Sequence, residues 1–276
     1  MALATVNFFS KCLMRTVTIN AVVPVDKITF PGMPVREKKP FKTLYLLHGI
    51  FGNYTDWVDG TRIARWAQDR NLVVIMPSGD NHFYVDCKDT GEMYGEFIGK
   101  ELVEVTRDMF PLSRKREDTY IAGLSMGGYG AVRNGLKYWE TFSHIGALSA
   151  GYILDRVINS TEDDPMPTHR RSFYSHIFGD LAELVGSDMD YKALILRLKE
   201  QKAEIPRIYM ACGLEDFLLE TNRDYHAFLE ENGVDVSYEE GPGSHEWDFW
   251  DRYILKLLEW LPLETATKGV SSGNVK

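Results

Sequence analysis

The sequence predicts an α/β fold: a mostly parallel central sheet with helices on both faces. Three observations carry that expectation. Short, continuous apolar runs recur along the chain, amphipathic stretches separate them, and several of the runs end at glycine. Runs that are apolar throughout, rather than alternating, suit strands covered on both faces. Buried strands that alternate with helices build parallel sheets.

The elements follow in order. TVNFF and TVTINAVVPV are rich in β-branched residues, partly alternate, and read as an opening hairpin. PGMPVREKKP is a loop by its prolines and charges. TLYLLHG is the first covered strand, and LVVIMPSG, TYIAGLS, SHIGALSAG and RIYMACG repeat its style. Between them, TRIARWAQDR places Ile63, Trp66 and Ala67 on one helical face. GEFIGKELVEVTRDMF does the same with Phe97, Ile98, Leu102 and Val105. TNRDYHAFLEENG is a helix that stops at Gly233, DVSYEE is strand-like, and a last helix follows GPGSHEWDFW. Residues 151 to about 200 break the rhythm. They are irregular and mixed in charge, follow a strand end, and read as an insertion over the sheet's active edge, a small lid. No repeat or long linker divides the chain, so residues 1–264 are expected to form one domain, with residues 265–276 as a disordered polar tail.

Composition narrows the function. With 44% hydrophobic and 26% charged residues, the 276-residue chain has an ordinary globular balance. A formal net charge of -9 disfavours nucleic acid and anionic membranes as partners. No apolar run approaches the roughly 20 residues of a membrane span, and the N-terminus lacks a secretory pattern. Cys12, Cys87 and Cys212 are widely spaced, with no disulfide or zinc framework. A cytoplasmic protein acting on a small molecule is expected. Homo-oligomerisation is compatible with the sequence but required by nothing in it.

In parallel sheets, ligands bind at the carboxyl ends of the strands, so the residues just after each strand are the candidates. GLSMG matches the strand-turn-helix pattern of a nucleophile elbow. Gly123 and Gly127 relieve crowding two residues either side of Ser125, which lets the turn present its hydroxyl. A serine needs a base, and His245 fits best: it follows a strand, lies on a glycine-rich loop, and precedes the last helix. Among the other histidines, His82 could line the site and His48 reads as orienting its turn. His144 is a core residue, and His169, His176 and His226 are surface or lid residues. The acid that orients the base should follow RIYMA, where Glu215 and Asp216 both qualify. The oxyanion donors should be the N–H of Met126 and one from the HGIFGN loop: Ile50, or Phe51 if the register slips by one. Phe51, Trp57, Phe83, Tyr84 and Trp247 are aromatics near the expected site, there either to bind a phenolic acyl group or a sugar ring or to pack the core.

YLLHGIFGNYTDW, YIAGLSMGGYGA, CGLEDFL and GSHEWDFW occur in this order. On these motifs the chain resembles the esterase D-like branch of the α/β-hydrolases, and within it the bacterial tributyrin-esterase group with its acetyl and hydroxycinnamoyl esterases. The similarity runs from about residue 5 to about residue 262. It implies an α/β-hydrolase fold with Ser125 as nucleophile, Asp216 as acid, His245 as base, and Ile50 and Met126 as oxyanion donors. It also implies a serine carboxylesterase for short-chain acyl or hydroxycinnamoyl esters, among them acetylated carbohydrates, without metal or organic cofactor. The alternative activity is S-formylglutathione hydrolysis. Members with that activity usually carry H-G-L-T-C where this chain has HGIFG. A catalytically silent binding protein on the same fold is the reading from another class.

Overall fold

The structure is a computed structural model describing residues 2–27 and 39–264. The expected 31–40 loop lies mostly outside the described residues, and the 265–276 tail entirely so. The opening hairpin pairs β1 (Ala2–Ser10) with β2 (Arg15–Val23) in antiparallel register. β3 (Lys42–Leu47) leads through helices α1 (Asp56–Gly60) and α2 (Ile63–Asp69) to β4 (Leu72–Pro77). The two-residue strands β5 (Asp86–Cys87) and β6 (Glu92–Met93) pair with each other beside the main sheet. The short helix α3 (Tyr94–Glu96) passes through a π-turn at Phe97–Glu101 into α4 (Leu102–Met109). Then come β7 (Thr119–Leu124), α5 (Met126–Lys137) and β8 (His144–Leu148). Helices α6 (Leu154–Ile158), α7 (Arg171–Phe178) and α8 (Tyr191–Glu200) fill the stretch before β9 (Arg207–Gly213). The chain closes with α9 (Leu219–Glu231), β10 (Val236–Gly241) and α10 (Trp247–Trp260).

The eight long strands form one sheet in the order β1-β2-β4-β3-β7-β8-β9-β10. β2 runs antiparallel to β4, and every pair from β4 through β10 is parallel. The α/β-hydrolase architecture expected from the sequence is the one observed. From β3 the chain first builds outward to β4 and then returns to the other side with β7. The carboxyl ends of β3 and β7 therefore flank the point where the winding reverses, the usual place for a ligand crevice.

The continuous apolar runs have a direct structural cause. Along β3, Tyr45 and Leu47 enter one hydrophobic core while Leu44 and Leu46 enter the other. Val73 and Ile75 of β4 likewise face away from Leu72, Val74 and Met76. Alternate side chains point to opposite faces, and both faces are covered, so neither parity is free to be polar. Each fully buried Leu or Ile contributes on the order of 2 kcal/mol. α2 and α10 cover one face, with Ile63, Trp66 and Ala67 buried as expected. α4, α5 and α8 cover the other. α9 stops at Asn232, and Gly233 follows with φ +68°.

One helical face departs from expectation. Phe97, Ile98 and Leu102 are buried, but Val105 is only half-buried, and Val103 and Thr106 take the inward positions instead. The π-turn accounts for this. It adds a residue to one turn and so advances the buried face by one position along α4. Among the described residues, no helix is long and apolar enough to cross a membrane.

Candidate active site

Four loops meet at the carboxyl edge of the sheet, following β3, β7, β9 and β10. Ser125 is the turn between β7 and α5. Its backbone has φ 53° and ψ -120°, a left-handed conformation that costs a non-glycine residue on the order of 1–3 kcal/mol. Neighbouring strands hold it there. Its N–H donates to the Leu148 carbonyl at 2.9 Å, and its own carbonyl accepts from the N–H groups of Gly151 at 2.8 Å and Tyr129 at 3.1 Å. The flanking glycines are required by close approach. A Cβ at Gly127 would lie 2.5 Å from the carbonyl oxygens of both Leu47 and His48, and one at Gly123 would strike the Gly127 carbonyl. The motif thus packs the elbow against the end of β3 and opens room for the bend itself.

The Ser125 hydroxyl lies 3.0 Å from His245 Nε2, and His245 Nδ1 lies 2.9 Å from Asp216 Oδ2 and 3.2 Å from Oδ1. The Asp216 side chain is fully buried. Burial alone would push its pKa up. Hydrogen bonds from His245 and the Leu218 N–H (2.9 Å), with the nearby Ser149 hydroxyl, outweigh burial, and the carboxyl sits below its ordinary value. Ser149 in turn accepts from the Trp250 indole N–H at 3.2 Å. Trp250 meets the His245 ring edge-on at 4.9 Å between centroids, and Phe217 packs on it at 4.7 Å. The imidazole therefore has a hydrogen bond at each nitrogen and aromatic walls that fix its plane. Glu215, the other candidate acid, is turned elsewhere. Its carboxylate accepts from the Gly243 N–H at 2.8 Å and ties down the loop that carries His245.

The loop after β3 is built around His48. This ring is buried, its Nδ1 donates to the Gly49 carbonyl at 2.6 Å, and its Nε2 accepts from the Gly79 N–H at 2.8 Å. Burial lowers the His48 pKa, which keeps the ring neutral, as an Nε2 acceptor must be. This is the structural role the sequence suggested. The Phe51 N–H donates to Asn81 Oδ1 at 2.8 Å and is thereby engaged. Ile50 instead lines the cavity over Ser125 beside Met126. The Met126 N–H opens the first turn of α5, where helical N–H groups have no partner within the helix. The two main-chain segments expected to face an oxyanion thus border one space.

That space is a cleft of about 470 Å³, its open mouth included. Phe83, Ile153, Tyr174, Phe217 and Leu218 contribute apolar walls, and Arg156, Thr168 and His169 contribute polar ones. Of the expected substrate aromatics, only Phe83 lines it. Trp57 is buried, donates its indole N–H to the Leu47 carbonyl at 3.0 Å, and packs edge-on against Trp247. Trp247 also fills the space over Gly60 and lies against Trp250. Tyr84 is buried with its hydroxyl on the His48 carbonyl at 2.9 Å. Phe51 is 71% exposed and outside the cleft lining. Trp57, Tyr84 and Trp247 thus support the loops from behind, and Phe51 points to solvent. His82 stacks on Tyr94 at 4.9 Å and is also absent from the lining.

The stretch after residue 151 roofs the cleft, because Gly151, Ile153, Arg156, Thr168, His169 and Tyr174 all belong to it. Its far end is clamped to α5. The buried Arg133 guanidinium reaches Asp188 Oδ2 at 2.8 Å and Asp86 Oδ2 at 3.4 Å, and Lys137 reaches Asp86 at 3.0 Å. The Tyr129 hydroxyl donates to the Met189 carbonyl at 2.7 Å.

The Esterase family model, described as "Putative esterase", matches residues 26–261. An acetyl esterase from Caldicellulosiruptor saccharolyticus is 48% identical over 261 residues, which is 95% of this chain and 98% of that protein. An S-formylglutathione hydrolase structure from Staphylococcus aureus superposes with a TM-score of 0.80 at 30% identity, covering 94% of this chain and 98% of that one. A ferulic acid esterase structure superposes with a TM-score of 0.70 at 22% identity over 94% of this chain and 97% of that one, which is a likeness of fold.

Proposed function

Because the chain belongs to the Esterase family and is a serine carboxylesterase of the α/β-hydrolase fold, we propose that Ser125, His245 and Asp216 carry its reaction, with the N–H groups of Ile50 and Met126 as the oxyanion hole. The observation that supports this assignment is the continuous line from the Ser125 hydroxyl through His245 to Asp216, at 3.0 and 2.9 Å. His245 takes the serine proton as Ser125 attacks the ester carbonyl. The negative charge that develops on oxygen falls between the two main-chain donors, which need no reorganisation to receive it. His245 then returns the proton to the leaving alcohol, and water repeats the sequence on the acyl-enzyme. Asp216 holds the imidazole with Nδ1 protonated, so that Nε2 is free to accept.

We assign the substrate to short-chain acyl esters, acetyl esters foremost. The 48% identity to an acetyl esterase supports this, as does a cleft whose apolar walls lie directly over Ser125. Phe83, Tyr174 and Phe217 extend the reading to hydroxycinnamoyl groups, which need aromatic surface. The 30% identity to an S-formylglutathione hydrolase keeps thioester hydrolysis as a second reading. A cytoplasmic setting is supported by Cys12, Cys87 and Cys212 all being free.

The test is initial rates on 4-nitrophenyl acetate, butyrate and octanoate, methyl ferulate and S-formylglutathione, for wild type and Ser125→Ala. We expect acetate and butyrate to be favoured and Ser125→Ala to lose on the order of 10⁴ or more in kcat. Preference for the thioester would promote the second reading. Turnover that survives Ser125→Ala would remove the nucleophile assignment.

A further inference from the structure

Charge is distributed unevenly around the cleft over Ser125. Arg156 and His169 are the residues lining it whose side chains can carry a full positive charge, and among the described residues no carboxylate lines it. His169 has an anion close by, with its Nδ1 3.8 Å from Asp164 Oδ1. Arg156 projects from α6, the first helix of the roof, and lines the cleft together with the buried Tyr174. A tyrosine beside it carries no charge to neutralise the guanidinium. The guanidinium brings five N–H donors to the cleft it lines. The setting is unusual for this molecule, whose net charge of -9 repels anions at long range. A single cation over the reacting serine offsets that repulsion where it matters to a bound substrate.

We propose that Arg156 is a specificity-determining residue, selecting esters that carry a carboxylate on the portion held beneath the roof. The proposal rests on the esterase reading above. The guanidinium fork matches a carboxylate with two parallel N–H donors, a geometry that a neutral group of the same shape cannot use. The apolar walls of Phe83, Ile153 and Phe217 take the remainder of the ester.

The experiment compares matched substrates that differ only in charge. For an acyl-side carboxylate the pair is 4-nitrophenyl hydrogen glutarate and 4-nitrophenyl 4-carbamoylbutanoate, with enzyme-free rates subtracted. For an alcohol-side carboxylate it is 3-carboxyphenyl acetate and 3-carbamoylphenyl acetate. The readout is the ratio of kcat/KM, anionic over neutral, in wild type, Arg156→Gln and Arg156→Lys. In one of the two pairs the wild-type ratio should exceed one. There it should fall about tenfold in Arg156→Gln, the scale of one charge-assisted hydrogen-bonded pair, and Arg156→Lys should lie between. Which pair responds says on which side of the ester the carboxylate is read. If Arg156 only braces Tyr174, both members of each pair fall together and every ratio stands still, which overturns the proposal. Ser125-dependent turnover of the neutral esters with unchanged ratios would leave the esterase reading standing and remove only this inference.

Discussion

Replacing Asp216 by asparagine separates the role of its charge from that of its shape. The carboxylate now receives hydrogen bonds from His245 Nδ1 and the Leu218 N–H. Asparagine preserves the oxygen that serves Leu218 and puts an amide N–H₂ where Oδ2 stood. Two donors cannot face each other, so His245 Nδ1 becomes an acceptor and its proton moves to Nε2. That nitrogen lies 3.0 Å from the Ser125 hydroxyl, and once protonated it can no longer accept the serine's proton. Loss of the correct tautomer costs on the order of 10⁴ in kcat, about 5 kcal/mol of transition-state stabilisation. KM should change little, because Asp216 lies outside the cleft lining. Steady-state rates on 4-nitrophenyl acetate measure the effect, and circular dichroism confirms the fold. Glu215→Gln is the matched control. A glutamine oxygen can still accept from the Gly243 N–H, so the loss should stay within about tenfold. A folded Asp216→Asn enzyme within about tenfold of wild type would refute the reasoning. A large loss confined to Glu215→Gln would transfer the role to Glu215.

Two further outcomes follow from packing and charge. Gly127→Ala forces a methyl to within 2.5 Å of the main-chain oxygens of Leu47 and His48, at the end of β3, where the backbone cannot swing aside. It should cost about 3 kcal/mol in urea unfolding and lower kcat as the elbow shifts; an unchanged midpoint would contradict the elbow geometry. Burial alone would raise the Asp188 pKa, but Arg133 and Lys137 more than compensate and leave it below its ordinary value. A depressed carboxylate stabilises the fold above its unfolded pKa, near 3.9, and loses that contribution as the pH falls through the lower folded value. Asp188→Asn should therefore be less stable than wild type at pH 7, and their thermal midpoints should converge below about pH 4. A constant gap down to pH 3 would exclude this linkage.

The sheet was legible because covered strands leave an unmistakable mark: both parities of TLYLL and LVVIM are apolar, and only a two-faced core demands that. Ser125 and His245 were legible because each needs a particular turn beside a particular strand. The choice between Glu215 and Asp216 was not settled by local pattern, since both follow β9. Only the turn's geometry sends one to His245 and the other to Gly243. The π-turn was invisible because it changes the phase of a helical face by one residue without calling for any residue type. Trp57, Tyr84 and Trp247 misled because proximity to a motif does not say which side of the loop a ring occupies. Arg156, His169 and Tyr174 lie in the stretch expected to cover the site, but without periodicity nothing local singled them out from their neighbours.

The hydrogen bond between Ser125 and His245 closes 120 positions of chain. Contacts of such separation carry a high loop-closure cost and form only when the intervening elements are already in place. β8 and β9 lie between β7 and β10 in the sheet, and their register aligns the two loops. Regained hydrolysis during refolding is thus a reporter of complete sheet assembly rather than of collapse. A ribosome-bound chain that has not yet released β10 and α10 would hold the proposed nucleophile Ser125 without the proposed base His245. On the proposed assignment, activity should therefore appear only once the final strand is seated.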